Sequence, residues 1–232
     1  MKKQKLVVFT GAGISQESGI ETFRDSNGTW EKYNVEDVAT IYGWFKNPRM
    51  VNDFYNERRI ELATVEPNSA HYGLKDLEEK YDVTIITQNV DDLHERAGST
   101  KIIHLHGELT KVCNEKKKNI KDIGYTELVF GDVDESGNIL RPFIVWFGED
   151  VPMISKAQNI VQKADILVII GTSMQVYPAA GLIESVSPLC RVFVIDPNEE
   201  SIKGVSRRIE YIENVATKGV KILKNELLKN EK

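Results

Sequence analysis

Three short stretches of this chain hold the residue types that do chemistry. In KIIHLHGEL, residues 101 to 109, the alternation puts His104 and His106 on one face, opposite in phase to Ile103 and Leu105. An imidazole that titrates near neutrality is a natural general base, and Gly107 leaves the His106 ring open to a cleft. The two histidines are also metal-ligand types, but no third ligand with suitable spacing is evident, so no residue is assigned to a metal. In TQNVDDLHERAG, residues 87 to 98, Gln88, Asn89 and Asp91 crowd into the turn before a short helix. One of them can cap that helix, while the amides and carboxylate together also suit ribose hydroxyls and a carboxamide.

The third stretch is VVFTGAGISQESGIETFR, residues 7 to 24. Gly11 and Gly13 either bring backbone N–H groups close to a phosphate or simply permit a tight strand-to-helix turn, and the residues leave both readings open. The dehydrogenase fingerprint is not met: Gln16 stands where its third glycine is needed, and no acidic residue closes the next strand. Instead Gly19 turns the chain and sends Phe23 and Arg24 back toward the phosphate region, which suits a dinucleotide held while a bond inside it breaks. Gly171, Thr172 and Ser173 offer a second cradle, and Asp196 before Pro197 is either an acceptor for adenosine hydroxyls or the start of a turn.

Apolar runs rich in Val and Ile precede each of these clusters, at Leu6–Thr10, Val83–Thr87, Ile166–Ile170 and Val192–Ile195. Such runs read as strands buried on both faces. Between them the patterns predict helices over Pro67–Lys80, Val90–Ala97 closing on Gly98, and Ser155–Ala164, with an amphipathic helix over Lys218–Lys229. This alternation predicts an α/β fold with a doubly wound parallel sheet, whose ligands lie beyond the carboxyl ends of the strands. Two segments interrupt it, a helical one over 26–66 and a charge-rich one over 111–140. They are expected to form a small inserted lobe, leaving 1–25, 67–110 and 141–232 as a discontinuous Rossmann-like domain.

Composition narrows the function classes. With 30 Lys and Arg against 35 Asp and Glu, the net charge is −5 and no basic stripe is present, so direct nucleic-acid binding is not expected. Cys113 and Cys190 form no Cys-x-x-Cys pair, which fits a reducing cytoplasm. The basic start is followed by an apolar run that Gly11 and Gly13 cut short, so neither a secretion signal nor a membrane association is expected.

Taken together, GAGIS (11–15), GIETFR (19–24), TQNVDDLHERAG (87–98), LHG (105–107), FGE (147–149) and GTS (171–173) resemble the sirtuin family of NAD-dependent protein deacylases, in the family's order and over nearly the whole chain. The resemblance implies a Rossmann-like domain with a small inserted lobe, NAD in the cleft, and an acyl-lysine peptide entering as a strand beside FGE. In that chemistry the acyl oxygen attacks the ribose carbon as nicotinamide leaves, giving deacylated lysine and O-acyl-ADP-ribose. His106 would then be the base on a ribose hydroxyl, with Gln88 positioning the ribose and Asn89 and Asp91 lining the nicotinamide and ribose pocket. Phe23 would shield the cationic carbon from water, and Arg24 would hold the dinucleotide in its reactive shape. Gly11, Ala12, Gly13, Ser15, Ile20, Trp30, Val90, Gly171, Thr172, Ser173, Asp196 and Ala216 would complete the cofactor pocket, and Val145, Phe147 and Gly148 would border the peptide.

A subgroup that removes acidic acyl groups is matched as well. Tyr55 and Arg58, at i and i+3 in DFYNERR, would meet an acyl carboxylate, and Ala39 would leave room for a longer acyl chain. Two departures stand out. Cys113 resembles the first of the four zinc-binding cysteines of many relatives, yet no other cysteine follows before Arg141. No structural zinc is therefore expected, and the lobe must rest on packing and a hairpin around DVDESGN. Asp196 stands where an Asn is familiar. The rival readings are an ADP-ribosyltransferase or NAD hydrolase, and a non-catalytic NAD-sensing or partner-binding module.

Overall fold

The computed structural model describes residues 2–20, 33–172, 179–202 and 208–229. Strands β1 (Lys5–Thr10), β2 (Asp82–Thr87), β3 (Ile102–His104), β7 (Ile166–Ile170), β8 (Arg191–Ile195) and β9 (Glu210–Ile212) form one sheet in the order β3-β2-β1-β7-β8-β9, every pair parallel. The four apolar runs of the sequence are its interior strands. The short edge strand β9 has no apolar run to announce it.

Alternate residues of each strand feed two cores. Leu6, Val8, Ile85, Val168, Ile170 and Phe193 face α4 (Ser69–Leu77) and α8 (Ala216–Lys229), whereas Val7, Phe9, Ile86, Leu167, Ile169 and Val194 face α6 (Ile154–Val161) and α7 (Ala179–Glu184). Each fully buried aliphatic contributes about 1.5–3 kcal/mol, and this two-sided burial makes the sheet doubly wound. Helix α4 begins where Pro67-Asn68-Ser69 predicts, because Asn68 accepts from the Ala70 amide and His71 Nδ1 accepts from the Asn68 amide. Helix α5 is only Leu93–Arg96, shorter than the pattern predicts, because the residues before it are engaged in side-chain contacts described below.

The first excursion folds into α1 (Val35–Val38), α2 (Ile41–Lys46) and α3 (Pro48–Leu62), capped by the side chains of Asn34, Thr40 and Asn47. Their apolar faces gather Val38, Trp44, Val51, Phe54 and Leu62 against Leu109, Ile144 and Trp146. The second contributes an antiparallel sheet in the order β5-β4-β6, from β4 (Gly107–Asn114), β5 (Lys121–Asp122) and β6 (Leu140–Ile144). This sheet spans the positions 110/111 and 140/141 where the sequence pattern changes. Gly107 opens it with φ of +85°, and a Cβ there would lie 2.0 Å from the Phe143 carbonyl oxygen.

Candidate active site

The strand order reverses between β2-β1 and β7-β8, and the polar clusters meet beyond the carboxyl ends of those strands. The glycine turn after β1 is a close approach of main chains. Gly11 and Gly13 donate to the carbonyls of Ile170 and Gly171, and an added Cβ would come within 2.7 Å of Gly171 oxygen at position 11 and 2.6 Å of Gly171 Cα at position 13. Those two amides thus bind the end of β7. Ala12, the buried Ser15 and the partly buried Ile20 follow on the same turn, and Thr172 is buried opposite. Phe23, Arg24, Trp30 and Ser173 lie outside the described residues.

Ser15 ties the glycine turn to the cluster after β2. Its hydroxyl donates to Asp91 Oδ2 at 2.9 Å and accepts from Asn89 Nδ2 at 3.1 Å. Asp91 also accepts the Leu93 amide, the first of α5, from one residue before the N-cap Asp92, whose own side chain makes no capping bond. Asn89 and Asp91 are both almost fully buried, and burial raises the Asp91 carboxyl while its bond from Ser15 pulls it back. Thr172 donates to Gln88 Oε1 at 3.0 Å, which joins the ends of β7 and β2. Val90 packs toward the helical core, Ala216 is buried at the start of α8, and Asp196 accepts the Asn198 amide at 2.9 Å as the opening of a turn.

His106 lies between β3 and β4, its Nδ1 3.0 Å from the Gln88 carbonyl oxygen. A carbonyl only accepts, so Nδ1 carries the proton and Nε2 keeps a lone pair. Burial lowers its pKa from the ordinary 6.5, and the Gln88 carbonyl works against that shift. The ring is therefore neutral at pH 7, with the basic nitrogen defined.

Of the expected acyl-side residues, Tyr55 packs against Trp146, and Val145 and Phe147 flank it in the chain. The His106 carbonyl accepts from the Val145 amide, and Trp146 Nε1 donates to the Tyr55 hydroxyl at 2.9 Å. Arg58, one turn along α3, pairs with Glu61 and lies over the Phe54 ring, while its buried Nε finds no partner among the described residues. Phe147 donates to the Ala39 carbonyl and accepts from the Ile41 amide, so one edge of FGE is paired with the chain itself. Gly148, at φ of +89°, closes the segment against Ile41.

Sequence reasoning passed over what holds this turn. Arg141, 1% exposed, makes a two-pronged ion pair with Glu149 and lies 3.6 Å from the Trp146 ring centroid. The signal was present as a charge in the otherwise apolar run LRPFIVWF. Nearby, burial pushes the Cys113 thiol up to about 11, and Asp134 accepts from Asn114, Asn119 and Asn138 side chains, tying together the DVDESGN turn.

Residues 11–178 match the Sir2 family profile. The chain belongs to the Sir2 family. A Bacteroides thetaiotaomicron member named NAD-dependent protein deacylase is 52% identical over 97% of this chain and 98% of its own. A Helicobacter pylori member of the same name is 51% identical over 86% of each. Among solved structures, a Sir2 homologue in complex with NAD superposes with a TM-score of 0.87 at 35% identity, covering 98% of this chain and 91% of that one. The Rossmann-like α/β fold expected from the sequence is thus the Sir2 fold. Among the described residues, no helix is long and apolar enough to cross a membrane.

Proposed function

We propose that the protein is an NAD-dependent protein-lysine deacylase that releases nicotinamide and O-acyl-ADP-ribose. The observation that carries this reading is the fixed tautomer of His106, held by the main chain of Gln88 next in sequence to the buried Ser15-Asn89-Asp91 cluster, in a chain 52% identical to a deacylase over 97% of its length. Bound NAD would supply an electrophilic ribose carbon and a nicotinamide leaving group. The strand-end cluster suits such a ligand, because it presents amide, hydroxyl and carboxylate groups at a switch point of the sheet. His106 takes the ribose hydroxyl proton at Nε2, Gln88 positions the ribose, and Asn89 and Asp91 hold the nicotinamide side. In this reading 1–25, 67–110 and 141–232 bind NAD, and 26–66 and 111–140 form the lobe that closes the acyl-lysine cleft. The peptide would lie beside FGE and be held through main-chain hydrogen bonds, tolerating varied sequences.

The acyl group is an acidic one such as succinyl, alongside acetyl. The unpartnered Nε of Arg58 supports this, as does the Tyr55 hydroxyl, which accepts from Trp146 and so keeps its own proton to donate. The test is to supply NAD with acetyl- and succinyl-lysine peptides and measure nicotinamide and deacylated peptide together. Equal release of both, abolished by His106→Ala, is expected. Nicotinamide without peptide turnover, or labelled protein, would instead make it an NAD hydrolase or ADP-ribosyltransferase.

A further inference from the structure

The sequence offers His104 and His106 as neighbouring ligands, and the fold divides them. His106 is tied to Gln88, whereas His104 meets Glu95 of α5 and Glu108 of β4. One ligand atom from each of Glu95, His104 and Glu108 lies within 4.8 Å of the other two. His104 Nδ1 is 3.0 Å from the Asn89 carbonyl oxygen, which fixes the proton on Nδ1 and turns the Nε2 lone pair toward the carboxylates. Nε2 and Glu95 Oε1 are 2.8 Å apart, so two acceptors face each other and need a cation between them. A second proton on the ring is one such cation. A metal ion is the other.

We propose that Glu95, His104 and Glu108 form a binding site for a divalent transition metal of the zinc class. One imidazole nitrogen and two carboxylate oxygens are a zinc donor set with a fourth position for water, and an imidazole is a poor ligand for magnesium or calcium. The Nδ1 bond to a main-chain carbonyl is the contact that commonly orients a metal-ligating histidine. The His104 side chain is only 8% exposed, so little of its freedom remains to be lost on binding. Lys111, whose Nζ lies 2.6 Å from Glu108 Oε2, occupies the place of positive charge at that carboxylate and is displaced when the ion enters. The bound ion clips α5, the end of β3 and the start of β4 together. It thereby fastens the antiparallel sheet to the parallel one beside Asn89, in a chain that carries no cysteine cluster to do so. The site does not depend on the deacylase reading.

The experiment uses the untagged, metal-free chain and zinc sulfate, with calorimetry for stoichiometry and thermal unfolding for linkage. One zinc per chain is expected, and at about a hundredfold excess over Kd the midpoint should rise by roughly 5–10 °C. Glu95→Gln and Glu108→Gln, both at side chains that reach solvent, should fold normally and each lose at least about tenfold in affinity. His106→Ala and Cys113→Ser should bind as the parent does, and magnesium should give no shift. Absence of stoichiometric zinc binding, undiminished binding in both glutamine variants, or binding that follows His106 or Cys113 would overturn the proposal.

Discussion

The strand-end cluster and the surroundings of the antiparallel sheet fix their polar groups in opposite ways. At the ends of β1, β2 and β7, most contacts join neutral partners, Ser15 with Asn89 and Thr172 with Gln88, and Asp91 is the charged exception. Around the antiparallel sheet full charges appear: Arg141 and Glu149 are buried beneath Trp146, and Asp134, open to solvent, gathers three asparagine side chains. The parallel sheet has a core on each face, so its main chain is already rigid and short neutral bonds suffice to fix the site. The antiparallel sheet shares a single core with α1–α3, and strong charge-assisted bonds supply what packing does not.

The largest test of this contrast is chemical. His106→Ala should lower kcat/KM by about 10²–10⁴-fold while leaving the unfolding midpoint near that of the parent, since the ring makes one bond to Gln88. Activity of the parent should fall only below about pH 6.5, because burial holds His106 below its ordinary pKa. Next comes Arg141→Met. It leaves the buried Glu149 only Lys117 at 3.3 Å and the Trp146 amide as partners, and should cost about 3 kcal/mol in urea unfolding, the low end for a broken buried pair. A loss under 1 kcal/mol would mean that the antiparallel sheet is held by packing after all.

The acid stability of the two regions should separate. His71 and His94 are buried under the parallel sheet, and burial lowers the first to about 4 and the second well below 6.5. Their contribution is complete above about pH 6.5, the value in the unfolded chain, and is lost as pH falls from there toward 4. The asparagine bonds hold Asp134 well below the carboxylate range, so its contribution persists above about pH 3.9 and disappears only under stronger acid. Midpoints from pH 8 to 2 should show two declines, and Asp134→Asn should lessen the second, which Glu78, Asp82 and Glu149 share because their partners also hold them below the ordinary carboxylate range. The smallest effect is Arg58→Met, which should cut succinyl-peptide turnover about tenfold while sparing acetyl-peptide. Equal losses on both would remove Arg58 from acyl selection.

Much of this was legible in the chain. The four interior strands announce themselves because two-sided burial demands unbroken Val and Ile, and the α4 start is visible in Asn68. His106, Asn89 and Asp91 stand out because polar residues directly follow apolar strands. Edge strand β9 and the shortness of α5 were not legible, since the first depends on pairing with β8 and the second on the bond from Ser15 to Asp91. Nor was Glu95 visible as a partner for His104, because a turn of chain separates them until α5 folds back.

The sequence alone determined the parallel sheet, the place of the polar clusters at its strand ends and the kinship of the chain, because these rest on local pattern and ordered motifs. The tertiary structure decided which nitrogen of His106 is basic, what supports the FGE turn and which carboxylates surround His104. Each of these depends on hydrogen bonds and ion pairs whose partners only the folded chain brings within 3 Å or so of one another.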